Sequence, residues 1–420
     1  MPARFILLGI LVAMDTAAGG TLPARPNILF ICTDDQAQWT IGVSGNRQTH
    51  TPHLDRLAAE GAYFPNAFVT TPVCSPSRAS IMTSQYASEF GIRDFIPKPG
   101  HKSYDPNDKT GLPPEAVTFA ETLQSAGYAT ALFGKFHLGD WTQTDDKRHH
   151  PTNQGFDYFM GLPDGGADPE NPLLEEHGVI RQFEGLTSDI VTDHAIAHLR
   201  SNRERPFLLC LHYREPHAKW LPVAEEDWAR FKDLDPALPH PDYPDLDVAK
   251  AKSRMREYLA AVSGVDRNVG RVLDELDALG LAENTVVVFF SDNGYNMGHN
   301  GIEHKGNGVW ITKTLPPATE NVNSEDRPNM YDTSLKVPAI VRWPGVVKPG
   351  SVVRNTITAL DWYPTLVEMA GTEAPLGKIV RGRSIVPLLR GQEVSDWNND
   401  YYGEYSMIYR SRATMRCYRT

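Results

Sequence analysis

Cys74-Ser75-Pro76-Ser77-Arg78 is the stretch of this chain with the most obvious capacity for chemistry. Prolines on both sides of Cys74 read as a loop, with a helix starting at Ser77 or Arg78. A cysteine just ahead of a helix meets free backbone N–H groups and the positive end of the helix dipole. That setting suits an anionic nucleophile and an anionic substrate. A lone cysteine is more often a half-buried loop thiol, so its weight depends on what accompanies it elsewhere in the chain.

Four apolar runs supply the company, because each ends in polar side chains. Asn27 to Thr33 is continuous enough for a strand buried on both faces, and it ends in Asp34-Asp35. Carboxyl ends of central strands are where open α/β sheets bind ligands. Adjacent carboxylates repel, and a hard cation relieves that repulsion, although solvated acids in a turn are the blander reading. Ala129 to Phe133 runs into Gly134-Lys135-Phe136-His137-Leu138-Gly139, where Lys135 and His137 point the same way. Pro206 to His212 leads to His217, while His212, inside the run, reads as a core histidine. Thr285 to Ser291 ends in Asp292-Asn293. The metal-ligand candidates among them are oxygen donors, which favours Ca²⁺ or Mg²⁺ over zinc. Lysine, arginine and histidine in one place suit a tetrahedral oxyanion, sulfate or phosphate.

The elements that must position these groups alternate. Helices are expected over Pro52–Gly61, Glu115–Gly127, Ser188–Arg200, Ala249–Gly280 and Asp361–Gly371. In the fourth, Leu259, Val262, Val265, Val269, Val272, Leu273 and Leu276 form one stripe to pack on the sheet. Residues 140–186 and 220–247 are rich in proline and polar residues and read as irregular loops bordering the cleft. After about Ile379 the alternation gives way to short β-like pieces. The expected fold is α/β, a large, mostly parallel central sheet flanked by helices, with a small C-terminal α+β subdomain. Residues 21–375 form the catalytic domain in this reading, and residues 376–420 form an incomplete C-terminal subdomain whose last strand starts at Ala413.

Composition narrows the class. The 420 residues are 41% hydrophobic and 22% charged, as in an ordinary globular protein. A net charge of −11 argues against a general nucleic-acid binder, so an anionic substrate needs a local basic pocket. The four cysteines are too scattered for a disulfide framework or a Cys-x-x-Cys metal site. Residues 1–20 have a basic start, a short apolar core and small residues, the pattern of an export signal. That core is too short to span a bilayer, and no stable membrane anchor is expected.

Together these motifs resemble the type I, formylglycine-dependent sulfatases of the alkaline phosphatase-like superfamily. The resemblance runs from Pro26 to about Gly391. It rests on Cys74 to Ser84, Asp34-Asp35, Gly134 to Gly139, Ser291-Asp292-Asn293-Gly294 and Asn329 to Gly345. It implies that Cys74 is oxidised to formylglycine by a formylglycine-generating or anaerobic maturating enzyme. One hydroxyl of the aldehyde hydrate then attacks sulfur, and the ester oxygen leaves with a proton from His217. His137 takes the proton of the second hydroxyl, which expels sulfate and restores the aldehyde. Arg78 stabilises the hydrate and Lys135 neutralises sulfate oxygens. Asp34, Asp35, Asp292 and Asn293, with the modified Cys74, bind Ca²⁺, or Mg²⁺ in its place. A second sulfate-binding cation is Lys305, whose neighbouring glycines allow close approach, or else Arg327. The implied protein is an exported sulfatase, periplasmic or secreted, acting on a sulfated carbohydrate. Phosphoester or phosphonate hydrolysis on the same fold and non-catalytic binding of sulfated glycans are the alternatives. One departure is Asp332-Thr333-Ser334-Leu335, where the family commonly has a glutamate and glycines.

Overall fold

The computed structural model describes residues 25–143 and 147–420; the export signal expected over residues 1–20 lies outside them. Asn27–Thr33 and Thr285–Ser291 are strands with every residue buried, as their unbroken apolar runs require. They sit at the centre of a ten-stranded sheet. Across it the strands run in the order Ser351–Val352, Ala62–Tyr63, Ala339–Arg342, Thr285–Ser291, Asn27–Thr33, Phe207–His212, Ala129–Gly134, Tyr158–Gly161, Leu173–Glu176 and Val179–Gln182. The five strands from Thr285–Ser291 to Tyr158–Gly161 are parallel. Antiparallel pairings flank them on both sides.

The register decides where the chemistry sits. Thr33 pairs with Ser291, Cys32 with His212, and His212 with Gly134. The carboxyl ends of four neighbouring strands are therefore level. Asp34, Asp292, Lys135 and Tyr213 all emerge at one edge of the sheet.

Successive side chains alternate between faces. Ile28, Phe30 and Cys32 pack on one side with helices Cys74–Thr83, Phe119–Ser125 and Trp362–Met369. Leu29 and Ile31 pack on the other side with Pro52–Glu60, Thr187–Ser201 and Val248–Ala278. The stripe expected on the last helix is buried from Leu259 to Leu276.

Several expected elements shift. The helix expected from Glu115 starts only at Phe119, because Thr118 caps it and Glu121 completes the capping box. Residues 140–186 are not a loop throughout. They add three strands that extend the sheet, the outermost being Val179–Gln182, exposed at every position. The polar stretch 298–308 contributes to a separate three-stranded sheet. Residues 225–229 form a short helix within the segment read as irregular.

Tyr401–Met407 and Ala413–Arg419 form an antiparallel pair. Its first strand lies on the Cys74 loop, with Glu404 N–H donating to Thr70 O at 2.8 Å and Tyr401 Oη to Val69 O at 2.7 Å. Tyr405 and Met407 close an apolar cluster with Val73 and Cys74.

Candidate active site

The cysteine helix begins at Cys74 itself, with Val73 as its N-cap, and not at Ser77 or Arg78. Pro76 misled the sequence reading. In the first turn its missing N–H costs nothing, since that donor has no intrahelical partner. All ten residues of the helix are buried. Burial pushes the Cys74 thiol above its ordinary pKa, although Lys135 and Lys305 pull it down. An unmodified Cys74 is therefore a protonated thiol and a weak nucleophile.

Around it the acidic strand ends converge. Asp35 N–H donates to Asp292 Oδ1 at 3.2 Å, and Asp292 N–H to Thr33 O at 3.0 Å. Asn293 Nδ2 donates to Asp35 Oδ1 at 2.5 Å. Asp35 takes left-handed backbone angles, with φ of 70°, a strained state that persists only where the surroundings impose it. Three buried acceptors in this cluster receive no hydrogen bond from the protein: Asp34 Oδ1, Asp35 Oδ2 and Asn293 Oδ1. Buried acceptors are rarely left so, and three oxygens in one cluster fit a hard divalent cation. Burial and Asp34 together push the Asp292 carboxyl above its usual range, against the pull of Arg78, Lys305 and Lys135. Burial also raises Asp34, but Lys135 and Lys305 outweigh it and hold that carboxyl well below its usual range. His217 borders the same cluster, with ligand atoms of Asp34, Asp35 and His217 all within 4.8 Å of one another.

Cations meet the acids from three directions. Lys135 Nζ lies 2.5 Å from Asp34 Oδ2, and Lys305 Nζ 2.5 Å from Asp35 Oδ1 and 3.6 Å from Asp34 Oδ1. Arg78 Nε donates to Asp292 Oδ2 at 2.7 Å and Nη1 to Lys135 O at 2.7 Å. Its buried Nη2 has no partner in the protein and remains a donor for a bound anion. Gly134 makes the turn that delivers Lys135, since it has φ of 103° and a Cβ there would stand 2.0 Å from His212 O.

The two expected histidines differ in their ties. His137 Nε2 donates to Ile96 O at 2.9 Å, which leaves the buried Nδ1 as a bare acceptor. Burial and Lys135 hold this ring well below its usual pKa, so it is neutral and able to take a proton. His217 Nδ1 bonds Ala218 O at 2.6 Å, and Nε2 faces Asp35 Oδ2 at 3.9 Å. Burial lowers His217 to about 3, with Lys305, Lys135 and Arg214 adding to the shift. An anion seated among those cations offsets part of their field. His212 is the core histidine expected, buried and bonded through Nδ1 to Lys135 O at 3.1 Å.

Of the two candidates for a second cation, the structure brings Lys305 into the cluster and not Arg327. Gly306 N–H bonds Pro72 O at 3.0 Å, which draws Lys305 against the Cys74 loop. Arg327 instead lies over the Trp310 ring at 5.2 Å and donates to Tyr331 Oη at 3.3 Å. Sequence reasoning missed the buttresses. Asn329 Nδ2 holds Lys305 O at 2.8 Å. His304, whose Nδ1 bonds Asn307 Oδ1 at 2.8 Å, faces the His217 ring at 6.3 Å. The adjacency of His304 to Lys305 was the available signal.

The sequence model of the sulfatase family matches residues 26–372. The chain belongs to the sulfatase family. This sulfatase, a sulfuric ester hydrolase, is similar to the steryl-sulfatase of Mus musculus, with 30% identity over 460 aligned positions, covering 92% of this chain and 68% of that one. It is 26% identical to an N-acetylglucosamine-6-O-sulfatase of Bacteroides thetaiotaomicron, over 91% of this chain and 74% of the relative. A structure solved in complex with its substrate D-glucosamine-2-N,6-O-disulfate superposes with a TM-score of 0.76 at 25% identity, covering 94% of this chain and 87% of that one.

Proposed function

We propose that this sulfatase releases sulfate from a sulfated carbohydrate, using formylglycine made from Cys74 and a bound Ca²⁺, for which Mg²⁺ is the alternative. The observation that carries the reading is the meeting of Lys135, Lys305 and Arg78 with the Asp34, Asp35, Asp292 and Asn293 cluster beside Cys74. The carbohydrate part rests on relatives, among them the N-acetylglucosamine-6-O-sulfatase and the glucosamine disulfate complex. Ca²⁺ fits the orphaned oxygens of Asp34, Asp35 and Asn293, with Asp292 closing the cluster. When bound it supplies positive charge against the charge that develops on sulfate oxygens.

The side chains then divide the work. Lys135, Lys305 and the free Nη2 of Arg78 hold the sulfate oxygens as the sulfur–oxygen bond of the ester breaks. A hydroxyl of the formylglycine hydrate forms the new bond to sulfur, and its proton passes to the departing alcohol oxygen by way of His217 Nε2, a bare acceptor while Nδ1 donates to Ala218 O. His137 Nδ1 takes the proton of the remaining hydroxyl. The carbon–oxygen bond to the sulfate then breaks, and the aldehyde returns with free sulfate. Maturation requires a formylglycine-generating or anaerobic maturating enzyme. Residues 1–20 export the protein in this reading. No helix among the described residues is long and apolar enough to cross a membrane.

Paired assays on an aryl sulfate, an aryl phosphate and a panel of sulfated glycans test the proposal. Sulfate release from glycans with little phosphate release supports it. Preferred phosphoester hydrolysis overturns it, as does glycan binding by matured protein without any sulfate release.

A further inference from the structure

A strip of positive charge stands beside the proposed sulfate site, in a chain whose net charge is −11. Its first member is Lys98. Ile96, two residues earlier, is fixed to the site at both ends: its carbonyl accepts from His137 Nε2 at 2.9 Å, and its N–H donates to Ser75 Oγ at 3.1 Å. Ser75 follows Cys74 directly. The facing wall is the turn Asp164-Gly165-Gly166. A Cβ on Gly165 would stand 2.2 Å from His137 Nε2, and one on Gly166 4.0 Å from Lys98 Nζ. Lys98 is thus at the rim of the space around His137.

The strip continues away from the site. The charges of Lys102, Arg410 and Lys98 all bear on His101. Phe95, packed against the Val73–Cys74 cluster, supports it from below, with His101 edge-on at 5.4 Å and Tyr409 at 5.2 Å. Arg410 is balanced by buried Asp326 at 2.5 Å, so the exposed charge belongs to Lys98 and Lys102. Lys98 meets Asp164 Oδ1 at 3.7 Å with its own side chain 50% exposed. A partly exposed pair of that kind is held only weakly, so an anionic ligand displaces Asp164 at little cost.

We infer that this strip, led by Lys98, binds a second anionic group on the substrate, a sulfate or carboxylate carried near the scissile sulfate ester. The inference deepens the proposed glycan sulfatase activity and rests on it. It makes the preferred substrate a polyanionic glycan and not a singly charged ester.

The test compares matured wild type, Lys98→Ala and Lys98→Arg on four substrates. These are an aryl sulfate, a monosulfated neutral disaccharide, the same disaccharide with a second sulfate, and a monosulfated disaccharide containing a uronate. Wild type should show the lowest KM on the doubly charged substrates, and added salt should erode that advantage. Lys98→Ala should raise KM on them by about tenfold more than on the singly charged pair, a loss worth one charge-assisted contact. Lys98→Arg should recover most of it. The sulfate and uronate arms tell which anion the strip reads. An equal KM rise on all four substrates overturns the inference, as does a wild type indifferent to the second charge. If matured wild type cleaves the aryl sulfate but no glycan, the glycan reading itself fails and takes the inference with it.

Discussion

Arg78 Nε lies 2.7 Å from Asp292 Oδ2, with the two side chains only 2% and 0% exposed. This buried pair ties the helix that carries Cys74 to the strand end that carries the acidic cluster. Removing one member of such a pair strands the other charge, at a cost of about 3–5 kcal/mol. Arg78→Ala should therefore lower stability by that order. Arg78→Lys keeps a charge but cannot reach Asp292 and Lys135 O together. It should keep more of the stability and still lose turnover by roughly 10²-fold. Denaturant unfolding and sulfate release on the same preparations check both, and an Arg78→Ala protein as stable as wild type would contradict the pairing.

Lys305 and Arg327 separate cleanly as candidates. Lys305 is 1% exposed and touches Asp35, while Arg327 stacks on Trp310. Lys305→Ala should reduce kcat by about 10²–10³-fold, as for loss of one preorganised donor to developing charge. Arg327→Ala should change it only a few-fold. The opposite ranking, read in steady-state kinetics, would overturn the assignment.

Chelation is the direct probe of the cation. Lys135 and Lys305 already neutralise Asp34 and Asp35 in part, so metal-stripped protein should remain folded. Added Ca²⁺ should raise its melting temperature, with a stabilisation of about 2.7 kcal/mol at a hundredfold excess over Kd. Asn293→Ala should weaken that response. A melting temperature indifferent to both chelator and Ca²⁺ would remove the metal from the site.

The strand ends were legible because long apolar runs in the centre of a sheet can hardly be anything else. Asn27–Thr33 and Thr285–Ser291 have the bounds their composition suggested. Peripheral strands were not legible. Val179–Gln182 is exposed at all its positions, so neither an apolar run nor alternation marks it. The helix start at Cys74 was hidden by Pro76, whose effect depends on whether it falls inside the first turn. Sequence could favour Lys305 over Arg327, on the glycines that follow it, but not decide between them. The contact that decides, Lys305 with Asp35, spans 270 residues and depends on Gly306 packing against the Pro72 backbone.

Asp266 gives the stability a pH dependence away from the active site. Its carboxylate accepts the N–H groups of His53 at 3.1 Å and Leu54 at 2.8 Å, at the start of helix Pro52–Glu60. Burial pushes it from 3.8 up to about 7 despite those bonds. The folded state thus holds this proton more tightly than the unfolded chain. As pH rises from 3.8 to about 7, the unfolded chain ionises first, and the contribution of Asp266 to stability falls across that window. Asp266→Asn should flatten this part of the pH–stability curve in urea titrations. An unchanged slope would show that Asp266 does not titrate there.

The most direct measurement is peptide mass spectrometry across Cys74 to Arg78, on protein sorted by activity. An unmodified thiol has no second hydroxyl with which to expel sulfate, and this one is buried and held protonated. Active protein should carry an aldehyde in place of the Cys74 thiol. Protein made without a maturating enzyme, and the Cys74→Ala and Cys74→Ser variants, should keep the fold and lose turnover. Multiple-turnover sulfate release from protein that carries only unmodified Cys74 would contradict the proposed mechanism outright.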